Sequence, residues 1–114
     1  MTENRKLNVL WTNGDPVTAE KMVFMYTINA LKRGWWEDVT VIIWGGATKL
    51  VSENESIQAK ITEALETGVD ISACKACADQ LGVSDTLEKL GVEVKYWGEP
   101  LTQVLKEGER LLTV

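Results

Sequence analysis

The 114-residue chain predicts a three-layer α/β/α sandwich with a mainly parallel five-stranded sheet, folded as a single domain over residues 1–114. Two observations support this fold class. Short strand patterns alternate with helical patterns in the order β-α-β-α-β-α-β-α-β, and such alternation favours right-handed crossovers and a parallel sheet between helices. A chain of this size also buries roughly 65% of its unfolded surface, which is enough for one core.

A dense turn signal marks the first strand and helix. An apolar strand pattern at residues 7–11 ends at the turn Asn13–Pro16. Asp15 suits a helix N-cap and Pro16 the first helical position, so a helix is expected from here to the residues before Gly34. Apolar residues spread around most of this helix. That pattern predicts cover from more than its own sheet, and therefore a homo-oligomer.

The middle of the chain predicts a central strand and a second helix. Residues Val39–Trp44 are almost all β-branched or aromatic, as in a strand buried on both faces of a parallel sheet. Gly45 and Gly46 follow, and we interpret them as a turn that leaves room beside the sheet edge. Ser52, with Glu55 three residues later, resembles a capping box and predicts the start of the helix.

The remainder of the chain predicts three further strands separated by helices. Glycines punctuate these elements, as expected where helices end. In chain order the elements are a strand at 69–73 that runs into Cys74, a short helix up to Gly82, a helical turn or two at 85–90, a strand at 92–96, a helix opened by Pro100, and a strand at 111–114.

Composition argues against several classes of function. Seventeen acids against twelve bases give a net charge of −5, and no segment gathers Lys and Arg into a basic stripe, so direct nucleic-acid binding is not expected. The longest apolar runs are a handful of residues, against the roughly 18 that a membrane span needs. Residues 1–6 lack a signal-peptide pattern. The protein is therefore expected in the cytoplasm, without a membrane partner.

The chain contains no histidine and two cysteines. Without imidazole it has no Ser-His-Asp triad, no Cys-His pair and no His-based zinc hydrolase. Cys74 and Cys77 lie three positions apart, and in a reducing compartment such a pair indicates chemistry or metal binding more than a structural disulfide. No cofactor is predicted.

Residues that are unusual for a core fall at the carboxyl ends of the predicted strands. Parallel sheets bind ligands just beyond these ends, which all meet at one edge of the sheet. The predicted pocket residues are Asn13 and Gly14 after the first strand, Trp44, Gly45 and Gly46 after the second, Lys75 after the third, and Trp97 and Gly98 after the fourth.

Cys74 is the predicted working residue, with Cys77 one helical turn away. Cys74 stands where a strand passes into a helix, so free backbone N–H groups and the helix dipole are expected to point toward its sulfur. These groups, and the charge of Lys75, favour the nucleophilic thiolate. Free cysteines are also common as small buried hydrophobes, so a packing role stays open, more for Cys77 than for Cys74.

The spacing of Cys74 and Cys77 leaves two other functions open. A redox dithiol of the thioredoxin kind would have aromatic or proline residues beside its cysteines, and this sequence has neither there. A closed zinc site needs four ligands, so here it would require two subunits or carboxylates. A redox dithiol and a zinc site are therefore alternatives to a function carried by the Cys74 thiolate alone.

Several short motifs along the chain match one known family. The most specific is the run Val69–Cys74 that leads into Lys75–Cys77. The others are Thr12–Gly14, Trp44–Gly45, Leu81–Gly82, Gly98–Leu101 and Gly108. Together they resemble the DsrE/DsrF-like family of small sulfur-relay proteins over nearly the whole chain.

The resemblance implies an α/β/α sandwich, homo- or hetero-oligomers and a sulfur-relay role. In the characterised sulfur-transfer members a cysteine at the end of the third strand carries a persulfide, and Cys74 matches that position. The protein is thus predicted to be a small sulfur carrier that exchanges sulfur with donor and acceptor proteins. Cys77 is not part of the pattern in the best-known carriers and leaves open a dithiol step. The alternative is a non-catalytic oligomeric binding module with structural cysteines.

Overall fold

The structure, a computed structural model, describes residues 5–114. Residues 1–4, which make up most of the segment behind the targeting prediction, lie outside the described part. Within residues 5–114, no helix combines the length and the apolar surface needed to cross a bilayer.

Five strands form one sheet in which every neighbouring pair is parallel. They are β1 (Lys6–Trp11), β2 (Asp38–Ile43), β3 (Asp70–Cys74), β4 (Glu93–Lys95) and β5 (Arg110–Thr113). Their order across the sheet is β4-β3-β2-β1-β5. The predicted parallel sheet is confirmed, and each strand lies within one residue of its predicted bounds.

Helices connect the consecutive strands. The first helical stretch, residues 16–32, comprises α1 (Pro16–Thr18), a π-helical segment (Ala19–Phe24) and α2 (Met25–Lys32). The others are α3 (Gly46–Glu53), α4 (Glu55–Thr67), α5 (Lys75–Leu81), α6 (Ser84–Lys89) and α7 (Gly98–Lys106).

The two helical layers are unequal. Steps from β1 to β4 all move in one direction across the sheet, so right-handed crossovers place α1 to α6 on one face. The connection from β4 to β5 returns across the sheet and places α7 on the opposite face. The predicted α/β/α sandwich is confirmed, and α7 supplies the third layer in residues 5–114.

The main core lies between the sheet and the larger helical layer. Alternate residues of the central strands, among them Trp11 and Ile43, are completely buried there. Trp11 packs edge-on against Phe24 of the π-helical segment, with ring centroids 5.3 Å apart. This packing fixes the carboxyl ends of β1 and β2, where much of the predicted pocket begins.

The first helical stretch buries most of its apolar surface within the chain itself. Val23, Phe24 and Ile28 are all buried, and α4 packs alongside them. Val23 and Phe24 are neighbours in the π-helical segment, and both lie on its inner side. Met25 remains 50% exposed. Much of the apolar surface from which an oligomer was inferred is therefore covered by α4 and the sheet, and the homo-oligomer stays a prediction.

The predicted start of the second helix is wrong. Asn54 is the N-cap of α4, because its side-chain oxygen accepts a hydrogen bond from the Ile57 backbone N–H at 3.0 Å. Ser52 lies inside α3 instead, and its hydroxyl donates to the Lys49 carbonyl at 2.8 Å. Both Ser and Asn are favourable caps, so local sequence alone does not separate them.

Two further boundaries differ from the prediction. Gly46 is the first residue of α3, so the Gly45–Gly46 pair begins a helix as well as making a turn. α7 begins at Gly98, two residues before Pro100. Proline favours the first turn of a helix but does not fix which position of that turn it occupies.

Candidate functional site

Cys74 is the last residue of β3 and the N-cap residue of α5. The predicted strand-to-helix position is therefore confirmed. The thiol is not in a disulfide, and its side chain accepts no hydrogen bond from the first turn of α5. Strand alternation gives Cys74 the same face as Ser72, whose hydroxyl binds a side chain next to α7. The sulfur accordingly packs toward the α7 layer.

Cys74 belongs to a small apolar group on that face, which we call the cysteine cluster. Its side chain is only 3% exposed. The cluster brings both cysteines together with both of the predicted pocket tryptophans. Its members are Ile42, Cys74 and Trp97, which are buried, and Leu10, Trp44, Cys77 and Leu101, which are partly buried around them.

Trp97 closes the cysteine cluster and is held by hydrogen bonds from the sheet. Its indole N–H donates to the Ser72 hydroxyl oxygen at 2.8 Å, and that hydroxyl donates to the Glu93 carbonyl at 2.9 Å. The Lys95 ammonium lies 4.8 Å from the centroid of the Trp97 ring, within cation–π distance. Two strands and a cation therefore fix the orientation of the indole that packs with Cys74.

Cys77 occupies a more accessible position than Cys74. Its side chain is half-buried in the first turn of α5. The Cys77 Sγ lies 3.7 Å from Thr48 Oγ1, at hydrogen-bond distance for sulfur. Thr48 belongs to α3 and is completely buried. The contact therefore joins a thiol at the rim of the cluster to a hydroxyl in the core.

Three of the four predicted pocket glycines, Gly14, Gly45 and Gly46, lie close together at one edge of the sheet. A Cβ on Gly14 would be 3.1 Å from the Gly46 carbonyl oxygen, and one on Gly46 would be 3.1 Å from the Thr12 carbonyl oxygen. Gly45 has a φ of 60°, a conformation that favours glycine. Their lack of side chains allows the end of β1 to approach the start of α3.

Asn13 completes this turn through local hydrogen bonds. Its side-chain oxygen accepts from the Asp15 backbone N–H at 2.8 Å, and its carbonyl accepts from the Trp11 indole at 2.9 Å. Asp15 caps α1 as predicted, by accepting from Thr18. The hydrogen bonds from Thr18 lower the pKa of Asp15 below its ordinary value of 3.8.

Lys75 is placed on the exposed side of α5. Its ammonium forms an ion pair with Asp79 at 2.9 Å and lies 5.8 Å from the Tyr96 ring centroid. The hydrogen bond to Asp79 raises the pKa of Lys75 above its ordinary value of 10.5. Hydrogen bonds from the Ser84 hydroxyl and then from Lys75 lower the pKa of Asp79 below 3.8. In this geometry the Lys75 ammonium is paired with the Asp79 carboxylate on the surface of α5.

The lowered pKa of Asp79 predicts a pH-dependent contribution to stability. A carboxyl whose pKa is lower in the folded state stabilises the fold above its unfolded value of 3.8, and this contribution is lost as the pH falls through the lowered pKa. Asp79→Asn is therefore expected to lower the melting temperature at neutral pH by more than it does well below pH 3.8. Thermal unfolding of both chains across that range measures the difference. A difference independent of pH would contradict the assignment.

A groove of about 580 Å³ crosses the sheet face beside α7. Asn8 and Ser72 lie at its floor, and both are nearly fully buried. Charges of both signs line it, including Lys95 and Glu93. Trp97 also lines this groove, and it packs with Cys74. Trp97 is therefore shared by the groove and the cysteine cluster.

Two residues that contact the site were missed from the sequence. Ser72 positions Trp97, and Thr48 contacts Cys77. A signal for Ser72 was present, because Asp70, Ser72 and Cys74 alternate with apolar residues along β3 and share one face. Thr48 had no such signal, since α3 itself was not predicted.

The described part of the chain contains no cluster of three or more potential metal ligands. Residues 5–114 bring no three Cys, Asp or Glu side chains into an arrangement that could hold an ion. Gly98, the last of the predicted pocket residues, begins α7, and a Cβ there would meet no atom within 4 Å.

The all-parallel sheet and the unequal helical layers define a small α/β/α sandwich domain. A model of the DsrE/DsrF-like family matches residues 7–114. The chain belongs to this family, and the resemblance seen in its motifs is confirmed. A search of curated proteins found no match.

Solved structures share this fold over nearly the whole chain. BT1422, a conserved protein of unknown function from Bacteroides thetaiotaomicron, is 40% identical, and the match covers 97% of this chain and 96% of that one with a TM-score of 0.96. The ychN protein from E. coli is 18% identical, with 98% and 100% covered and a TM-score of 0.71. MTH1491, a protein of unknown function from Methanobacterium thermoautotrophicum, is 16% identical, with 96% and 98% covered and a TM-score of 0.69. The latter two show a shared fold.

Proposed function

We propose that the protein carries sulfane sulfur as a persulfide on Cys74, which it receives from a donor protein and passes to an acceptor protein. The observation that carries the proposal is the place of Cys74: a free thiol at the carboxyl end of β3, packed in the cysteine cluster. Membership of the DsrE/DsrF-like family supports a role in sulfur relay.

The transfer is an exchange of one sulfur–sulfur bond for another. The Cys74 thiolate attacks the outer sulfur of a persulfide on the donor, a new S–S bond forms, and the donor cysteine leaves as a thiolate. In the second half, a nucleophile on the acceptor attacks the outer sulfur on Cys74. The Cys74 thiolate leaves, so the carrier returns to its starting state without net oxidation.

The burial of Cys74 gives the persulfide a protected place. Trp97 and Leu101 cover the sulfur on the α7 side, where reductants and water would otherwise reach it. Loading then requires Trp97 to move, and the groove that Trp97 also lines provides the approach. The hydrogen bond between Trp97 and Ser72 helps to hold Trp97 in this position.

The second candidate function is a non-catalytic binding module in which the cysteines only pack. The observation that favours it is the same burial, since Cys74 is 3% exposed. The two functions differ in thiol reactivity. If neither Cys74 nor Cys77 reacts with a thiol reagent until the chain unfolds, the binding module is the better description.

Intact mass after treatment with inorganic polysulfide tests the proposal. Cys77→Ser removes the neighbouring thiol, so this chain is expected to gain the mass of one sulfur atom at Cys74. Treatment with dithiothreitol should return it to its original mass, because a persulfide is reducible. Cys74→Ser is the matched control, and it is expected to gain sulfur much more slowly than Cys77→Ser.

Two results would count against Cys74 as the carrier. Cys74→Ser could gain sulfur as readily as the native chain, or Cys77→Ser could gain none. Circular dichroism on both variants shows whether the fold is retained, and so separates these results from unfolding. The fold is expected to persist, because serine replaces cysteine with little change in volume.

A further inference from the structure

We infer that Cys77 converts the Cys74 persulfide into free sulfide by forming a disulfide with Cys74. This inference rests on the proposed function, since it requires a persulfide on Cys74. It assigns the chain a second outcome for its sulfur: release as sulfide, in addition to transfer to an acceptor protein.

The positions of the two thiols in α5 make this step possible. Cys74 is the N-cap and Cys77 the third residue of the helix. Cys74 has an extended backbone conformation and stands at the entry to the first turn of α5, and Cys77 lies at the end of that turn. A disulfide needs about 3.5–4.5 Å between the two Cβ atoms, so its formation requires this turn to bring Cys77 toward Cys74. Both thiols already pack in the same cluster.

The step balances with the two cysteines and the bound sulfur alone. The Cys77 thiolate attacks Cys74 Sγ, the inner sulfur of the persulfide, and an S–S bond forms between the cysteines. The bond from Sγ to the outer sulfur breaks, and the outer sulfur leaves with the electron pair as hydrosulfide. The sulfane sulfur gains two electrons and each cysteine sulfur loses one. A dithiol reductant is needed to return the disulfide to two thiols.

Thr48 is the residue that positions Cys77 for this attack. Its hydroxyl lies 3.7 Å from the Cys77 sulfur and is completely buried. A hydroxyl can donate as well as accept, so rotation of the O–H lets Thr48 donate to the thiolate that Cys77 must form. The contact also holds the Cys77 side chain beside the cluster while Cys74 is loaded.

The unequal burial of the two sulfurs fits this order of events. Cys74 is nearly inaccessible, whereas Cys77 is half-buried at the rim of the cysteine cluster. A persulfide on Cys74 is therefore shielded from thiols in solution but not from Cys77, its neighbour in the same cluster. The rate of sulfide release is then set by an intramolecular reaction, so it does not depend on a collision with a second molecule.

Sulfide release after polysulfide treatment tests the inference. The native chain is loaded, separated quickly from excess polysulfide, and followed with a sulfide-selective electrode and by intact mass. One sulfide per chain is expected, together with a chain that has lost two hydrogen atoms and no longer reacts with alkylating reagents. Cys77→Ser is expected to keep its added sulfur and to release no sulfide until dithiothreitol is supplied.

The outcomes separate this inference from the proposed function. If Cys77→Ser takes up no sulfur, the proposed function fails and the inference fails with it. If Cys77→Ser holds its sulfur but the native chain holds it equally long and forms no disulfide, only the inference is overturned.

Thr48 variants test its positioning role separately. Thr48→Val keeps the shape of the side chain and removes the hydroxyl, and it is expected to slow sulfide release while leaving the sulfur loading of the chain intact. Thr48→Ser keeps the hydroxyl and should restore the native release rate. Release by Thr48→Val at the native rate would contradict the positioning role of Thr48.

Discussion

Replacing Trp97 with alanine is expected to expose Cys74 to thiol reagents and to lower the free energy of unfolding by about 3–5 kcal/mol. Trp97 is 6% exposed and packs directly with Cys74 and Ile42, so its removal opens a cavity next to the sulfur. The hydroxyl of Ser72 also loses the indole N–H that it accepts. The rate of alkylation of Cys74 under native conditions, read by mass spectrometry, measures the first effect, and denaturant unfolding measures the second.

Two control variants make the Trp97 result specific. Trp97→Phe keeps a ring over Cys74 but loses the hydrogen bond to Ser72, so its alkylation rate should lie between those of the native chain and Trp97→Ala. Leu105→Ala changes an α7 residue that is 60% exposed, and should alter stability within about 0.5 kcal/mol. Alkylation of Trp97→Ala at the native rate, with the fold intact, would show that Trp97 does not control access.

Replacing Gly46 with alanine is expected to destabilise the protein by about 1–3 kcal/mol through overpacking. Its new Cβ would lie 3.1 Å from the Thr12 carbonyl oxygen and 3.3 Å from the Gly14 backbone nitrogen. Both are backbone atoms, so neither can rotate away as a side chain could. The backbone that follows β1 must therefore move away from the start of α3, the helix that carries Thr48. Denaturant unfolding measures the loss of stability.

Gly98→Ala is the matched control for the glycine at the start of a helix. Gly46 begins α3 and Gly98 begins α7, but a Cβ on Gly98 would meet nothing within 4 Å. Alanine is favoured over glycine in helices, so Gly98→Ala should be neutral or slightly stabilising. Equal losses from the two variants would mean that the contact between β1 and α3 is not what requires glycine at position 46.

Much of the fold follows from patterns that are local in the sequence. Val39–Trp44 could be assigned to a central strand because its residues are apolar on both faces, and Asp15 and Pro16 placed the start of the first helix. Strand and helix alternation then gave a parallel sheet, and the five strands lie within one residue of prediction. Such signals depend on neighbours a few positions apart, which the sequence displays directly.

The features that could not be predicted depend on competition between equivalent signals. Ser52 and Asn54 are both suitable caps, and only the hydrogen bond from Ile57 decides between them. Gly45 and Gly46 are typical of a turn, and for this reason α3, which begins at Gly46, was not predicted. The π-helical segment Ala19–Phe24 had no sequence signal of its own, and the burial of its apolar residues depends on tertiary packing.

The strand ends that carry the candidate site residues could be predicted, but the contacts between their side chains could not. Parallel strands bring their carboxyl ends to one edge, and so Trp44, Trp97 and Cys74 could be placed together before their contacts were known. The hydrogen bond between Trp97 and Ser72 joins residues 25 positions apart and leaves no local trace. What covers the Cys74 side chain likewise depends on which face α7 packs against, and that follows from the strand order.

The most direct test of the central claim is to find which cysteine of the native chain first receives sulfur. Polysulfide is added for increasing short times, an alkylating reagent traps persulfides and thiols, and peptide mass spectrometry separates sulfur on Cys74 from sulfur on Cys77. The account predicts that the extra sulfur appears first on Cys74 and that a Cys74–Cys77 disulfide replaces it later. Sulfur that appears first on Cys77, or on neither cysteine, would contradict it.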